Sequence, residues 1–140
     1  MISTTELQIP PEQWLVMCSL AETCLPEEVC GLLAGSGNRV SIAIPVTNQL
    51  HSPYRYRMDP EQQLQAFLKI DDLDLELLGI YHSHPQGPIR PSETDIAEAN
   101  YPYAVYIILC PSSTGWEQRG YSIRNGEVNE VAILVEESNE

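Results

Sequence analysis

Leu77 to Tyr81 is apolar apart from Gly79 and runs directly into His82-Ser83-His84-Pro85. A short unbroken apolar run bounded by turn residues reads as a buried strand. Residues i and i+2 of a strand face one side, so His82 and His84 are expected to project together while Ser83 faces away in a structural role. Pro85, Gly87, Pro88 and Pro91 fill the following connection with residues suited to bending the chain back. Ser92-Glu93-Thr94-Asp95 then opens a predicted helix, in which i and i+3 share a face. Ser92 and Asp95 can therefore approach one point. Two imidazoles, one carboxylate and an open position are the shell expected of a catalytic zinc. In isolation His-x-His also suits a polar strand edge, and Ser-x-x-Asp is more simply a capping box. The combination carries the metal reading, because the chain has only 3 His and two of them fall at this spacing.

The rest of the chain supplies a frame for that strand. Pro10-Pro11 starts a helical pattern with Trp14, Met17, Cys18, Ala21 and Leu25 on one stripe, ended by Pro26. Glu28 to Ala34 reads as a core strand, and Arg39 to Val46 as its hairpin partner across Gly35-Ser36-Gly37-Asn38. Asn48 to Arg57 reads as a loop or extended segment; Tyr54 and Tyr56 alternate there with Arg55 and Arg57, which suits contact with a peptide and equally suits rings packed with arginines in solvent, and His51 suits surface hydrogen bonding. Asp59-Pro60 is a strong helix start; Leu64, Phe67 and Leu68 form the expected buried stripe, and the acidic cluster from Asp71 to Glu76 should stop the helix near Asp72. A helix is expected from Ser92 to about Asn100, ended by Pro102. Val105 to Cys110 reads as a central strand, and Trp116 to Ile123 and Glu127 to Val135 as two more joined by the hairpin signal Asn125-Gly126. Residues 1–9 are expected to be loosely held and residues 136–140 to form an acidic tail. The fold class is α/β, a mixed central sheet flanked by helices, with residues 1–140 in a single domain.

Composition narrows the partners. With 20 acidic residues against 7 basic, the formal charge is −13. That argues against nucleic acid, which needs clustered Lys and Arg, and against anionic membranes; it permits a basic partner, though solubility alone explains it. No apolar run is long enough to span a bilayer, and the N-terminus lacks a secretory pattern. Cys18, Cys24, Cys30 and Cys110 form no Cys-x-x-Cys and read as buried free thiols of a cytoplasmic protein.

His82-x-His84, seven residues, then Ser92-x-x-Asp95 resembles the signature of the JAMM (MPN+) metallopeptidase family. Glu28-Val29-Cys30-Gly31-Leu32-Leu33-Ala34-Gly35 resembles the upstream Glu segment of that family, so no residue of the signature is missing. The resemblance runs from about Pro26 to Cys110 and is nearest in kind to the short bacterial members. It implies a JAMM/MPN-like (cytidine-deaminase-like) domain, Zn²⁺ held by His82, His84 and Asp95, and catalytic roles for Glu28 and Ser92. Taken alone, Glu28 suits a solvated strand end; the resemblance turns it into a general base that takes a proton from water and returns it to the leaving amine. Ser92 is implied as the hydrogen-bond donor to the oxyanion. The implied substrates are amide or isopeptide adducts on the C-terminal tail of a ubiquitin-like or β-grasp sulfur-carrier protein, and such a tail could bind by strand addition. A metal-free scaffold and a non-haem Fe(II) enzyme are the alternatives. A nucleobase deaminase is excluded by the lack of Pro-Cys-x-x-Cys. The natural substrate and oligomeric state are not legible.

Overall fold

The structure is a computed structural model that describes residues 6–137; the expectations for residues 1–5 and 138–140 lie outside that range. The elements are β1 (Glu6–Ile9), α1 (Pro11–Thr23), β2 (Cys30–Ser36), β3 (Arg39–Val46), α2 (Pro60–Asp72), β4 (Glu76–Ser83), α3 (Glu93–Ala97), β5 (Val105–Ser112), β6 (Gly115–Arg124) and β7 (Glu127–Val135). The strands form the expected mixed sheet in the order β1-β3-β2-β4-β5-β6-β7. Antiparallel pairs join β2 to β3 and β4, and β5 to β6 to β7, while β4 and β5 run parallel. The parallel pair follows from the crossover through the Pro-rich connection and α3, since parallel neighbours cannot be joined by a tight hairpin.

β1 corrects the expectation of a loose N-terminal segment. Leu7 and Ile9 are fully buried, and β1 pairs parallel with β7 throughout and with β3 at Gln8↔Arg39. The sheet is thereby closed into a barrel. Other expectations shift in detail. β2 begins at Cys30 rather than Glu28. α3 ends at Ala97, short of Asn100. On α2 the buried side chains are Ala66 and Ile70, with Phe67 partly covered, whereas Leu64 and Leu68 are exposed. α2 therefore seats a small residue against the sheet. Leu25 lies beyond α1 and is also exposed, while Met17 and Ala21 are buried as expected.

Two apolar clusters fill the two sides of the sheet. One joins Leu33, Tyr81, Ile107 and Leu109 to Met17 and Ala21 of α1. The other joins Leu32, Ile80, Tyr106 and Ile108 to Ala66 and Ile70 of α2. Gly31 is required by the first: a Cβ there would meet the Tyr81 ring at 2.4 Å. Cys30 is buried, Cys18, Cys24 and Cys110 are partly so, and all four are free. Among the described residues, no helix is long and apolar enough to cross a membrane.

Candidate metal and catalytic site

The end of β4 positions the first two residues. Its ladder with β2 sets Cys30 opposite His82. Beyond that pair the Ser83 amide donates to the Val29 carbonyl, and the Val29 amide donates to Ser83 Oγ at 2.9 Å. Ser83 thus faces away from its neighbouring imidazoles, as strand alternation demands, and fastens the segment that carries Glu28. The Glu28 backbone is held twice more: its amide donates to the Ser52 carbonyl, and its carbonyl accepts from Asn48 Nδ2. On the other flank the His84 amide donates to the Leu109 carbonyl of β5.

Asp95 arrives from α3. The capping box expected as the simpler reading of Ser92-x-x-Asp95 is present: the Asp95 amide donates to Ser92 Oγ at 3.0 Å, and the Ser92 amide donates to Asp95 Oδ2 at 2.9 Å. The same Oδ2 lies 3.1 Å from His82 Nε2 and 3.1 Å from His84 Nε2, and the two Nε2 atoms are 3.0 Å apart. Capping and site geometry are therefore one arrangement, in which the cap fixes the oxygen that meets the imidazoles.

This triangle suits a metal better than hydrogen bonds. His84 Nδ1 donates to the Pro88 carbonyl at 2.7 Å, which leaves Nε2 with a lone pair, the orientation that ligating histidines take. A proton on His82 Nε2 could then satisfy only one of the remaining edges, leaving lone pairs facing lone pairs. One cation at the centre would be met by all three donors. A tetrahedral zinc shell with ligand distances of about 2.0–2.1 Å has edges of roughly 3.3 Å, close to the spacing found. The Glu28 carboxylate joins the two histidines in a group whose donor atoms lie within 4.8 Å of one another.

Electrostatics separates the carboxylates. Burial pushes Glu28 up to about 7; the charge on His84 works against this and the charge on Asp95 adds to it. Burial also acts to raise Asp95, but its close contacts with His82 and His84 outweigh it and hold that carboxyl well below the usual range. Burial lowers His82. For His84 burial is opposed by Asp95 and the Pro88 carbonyl, and the net direction is upward. One carboxylate is thus a firm anion at the imidazoles, and its neighbour is poised to exchange a proton near neutrality.

Tyr56 is a site residue that sequence reasoning missed. Its ring stacks on His82 with centroids 4.5 Å apart and planes 28° from parallel. The Tyr/Arg alternation was the only signal; Tyr54 is solvent-exposed as expected, but Tyr56 is not. His51 lies at the surface beside Glu27, outside the cluster. Two cavities border the imidazole and Asp95 group. One, of about 290 Å³, is lined by Tyr56, Arg57, Asp95 and Tyr101 among others. The other, of about 240 Å³, is lined by Glu28, Tyr54, His84, Arg90 and Ser92 among others. A third cavity, of about 190 Å³, meets Glu28 from the side of Cys24, Asn48 and His51.

Comparison with known proteins identifies the family. The family model for prokaryotic homologues of the JAB domain matches residues 10–121. The CysO-cysteine peptidase of Mycobacterium tuberculosis (strain ATCC 25618 / H37Rv) is 37% identical over 115 residues, 80% of this chain and 79% of that protein. The desampylase of Haloferax volcanii is 34% identical over 114 residues, 79% of this chain and 80% of that protein. Protein DSY2949 from Desulfitobacterium hafniense, known from its solution structure, superposes with a TM-score of 0.84 at 31% identity over 94% of each chain. The chain belongs to the JAB-domain family of prokaryotes, the JAMM/MPN group to which the His-x-His and Ser-x-x-Asp motifs point.

Proposed function

We propose that this protein is a zinc-dependent hydrolase that cleaves the amide or isopeptide bond after the C-terminal tail of a ubiquitin-like or sulfur-carrier protein. The observation that carries the reading is the convergence of His82 Nε2, His84 Nε2 and Asp95 Oδ2 to within 3.1 Å beside a buried Glu28. His82, His84 and Asp95 would hold the ion, which when bound supplies a Lewis acid that makes hydroxide available near neutral pH. Glu28 takes a proton from the attacking water and delivers it to the leaving amine, a task matched by a carboxyl raised to about 7. Ser92 Oγ accepts from the Asp95 amide, so its own O–H remains free to donate to the carbonyl oxygen as negative charge develops. Tyr56 keeps the His82 ring in place and excludes water from one face. The substrate class is supported by relatives named CysO-cysteine peptidase, desampylase and probable TtuB-protein conjugate cleaving protease.

The test incubates the zinc-loaded protein with β-grasp carriers bearing C-terminal extensions and follows their masses. Removal of the extension by the wild type, and its loss in Glu28→Gln that still holds zinc, is the expected result. Full activity in Glu28→Gln would remove the assigned base, and intact adducts throughout would refute the reading.

A further inference from the structure

In a chain with 7 basic and 20 acidic residues, a cation without an acidic partner is conspicuous. Arg39, Arg55 and Arg119 pair with Glu136, Glu98 and Glu130, and Arg124 donates to the Pro102 carbonyl. Arg57 lines the cavity that also holds Asp95 and Glu98, and Lys69 sits on α2 away from the catalytic group. Arg90, like Arg57 and Lys69, makes neither an ion pair nor a side-chain hydrogen bond among the described residues, but it differs from them in sharing a cavity with Glu28. That cavity is the smaller of the two that border the imidazoles, and Glu28 is the only acid in its lining.

The two cavities are not equivalent chemically. Glu28 lines the smaller one and not the larger, and its Oε1 is buried without a partner. A group that protonates a leaving nitrogen must lie within hydrogen-bond reach of it. Of the cavities that Glu28 lines, the one with Arg90 also holds His84 and Ser92, whereas the other reaches neither, so the leaving amine belongs among the residues that include Arg90. Amines of two kinds could lie there. The amine of a free α-amino acid carries a carboxylate on the adjacent carbon. A lysine side chain within a protein has only methylenes at that distance. In a chain of net charge −13, a substrate carboxylate brought beside Glu28 needs a local cation, and guanidinium matches carboxylate geometry with two parallel hydrogen bonds.

We propose that Arg90 binds the free α-carboxylate of an amino-acid leaving group, so that this site prefers carrier tails extended by a single amino acid to tails joined to a protein lysine. The inference rests on the hydrolase reading and deepens it. Water adds its hydroxyl to the tail carbonyl as the C–N bond breaks, and its proton goes through Glu28 to the departing amine; Arg90 takes part in no bond change.

The experiment uses a β-grasp carrier ending in Gly-Gly, extended by one alanine either as the free acid or as its primary amide. kcat/KM is measured for both with the zinc-loaded wild type and Arg90→Gln. One charge-assisted pair corresponds to about a 10-fold preference, so the wild type should favour the acid by about that factor and Arg90→Gln should bring the ratio close to one. A wild-type ratio near one, or a ratio retained in Arg90→Gln, would overturn the proposal while hydrolysis itself stood. If neither adduct is cleaved, the hydrolase reading fails, and calorimetric affinities of zinc-loaded Glu28→Gln for the two adducts decide the carboxylate site. Tighter binding of the acid would sustain it, and equal affinities would overturn it too.

Discussion

Replacing Glu28 by Gln should stabilise the metal-free protein while removing its activity. Glu28 is 4% exposed, and burial raises its carboxyl from 4.5 to about 7. An acid raised in the folded state binds its proton more tightly there than in the unfolded chain. Folding stability is then unaffected below about pH 4.5, falls as pH rises from 4.5 to 7, and stays low above 7. A displacement of about 2.5 pH units corresponds to roughly 3 kcal/mol at most. The carboxylate lines an open cavity, so solvent screening brings this to about 2 kcal/mol. Gln keeps the shape without the charge. In a chelator, Glu28→Gln should therefore gain about 2 kcal/mol over wild type at pH 8 and much less at pH 5, a rise in Tm of roughly 4–8 °C at the higher pH. Thermal or urea denaturation across that range measures it. Equal stability at pH 8, or a larger gain at pH 5, would refute the claim that Glu28 is a buried carboxylate held off its ordinary titration.

Two further outcomes follow from the same contacts. Ser92→Ala removes the free O–H and should lower kcat by about 10²–10³; because Ser92 Oγ also caps α3, urea unfolding should show a loss of about 1 kcal/mol, and a variant with wild-type kcat would remove Ser92 from the chemistry. Ser83→Ala leaves the buried Val29 amide without its acceptor and should cost about 1–3 kcal/mol, read from the urea midpoint, with hydrolysis reduced through the neighbouring Glu28; unchanged stability would show that Ser83 does not fasten that segment.

The candidate site was legible in sequence because its determinants are local. Strand alternation places His82 with His84 and turns Ser83 away, and one helical turn places Ser92 with Asp95. What sequence did not disclose depends on contacts between distant segments. Residues 6–9 are too short and polar-flanked to announce a strand; β1 exists because Leu7 and Ile9 find burial beside β7, far along the chain. Leu64, Phe67 and Leu68 share one helix face, but the face that α2 turns to the sheet is centred on Ala66 and Ile70, and Leu64 and Leu68 meet solvent. Tyr56 has the same local pattern as Tyr54, and only the approach of β4 distinguishes the ring that stacks on His82. Glu28 sits between these cases. Alone it resembles a solvated strand end, and its burial depends on Ser83, Ser52 and Asn48, each brought by a separate segment.

The central claim is that His82, His84 and Asp95 grip one divalent ion. X-ray absorption at the zinc edge, on protein purified without chelators, tests it directly. One zinc per chain with a shell of two imidazole nitrogens and carboxylate or solvent oxygens at about 2.0–2.1 Å, retained in Glu28→Gln and lost in His82→Ala, is the expected result. Metal-free protein that takes up no zinc, or a shell unchanged in His82→Ala, would contradict it.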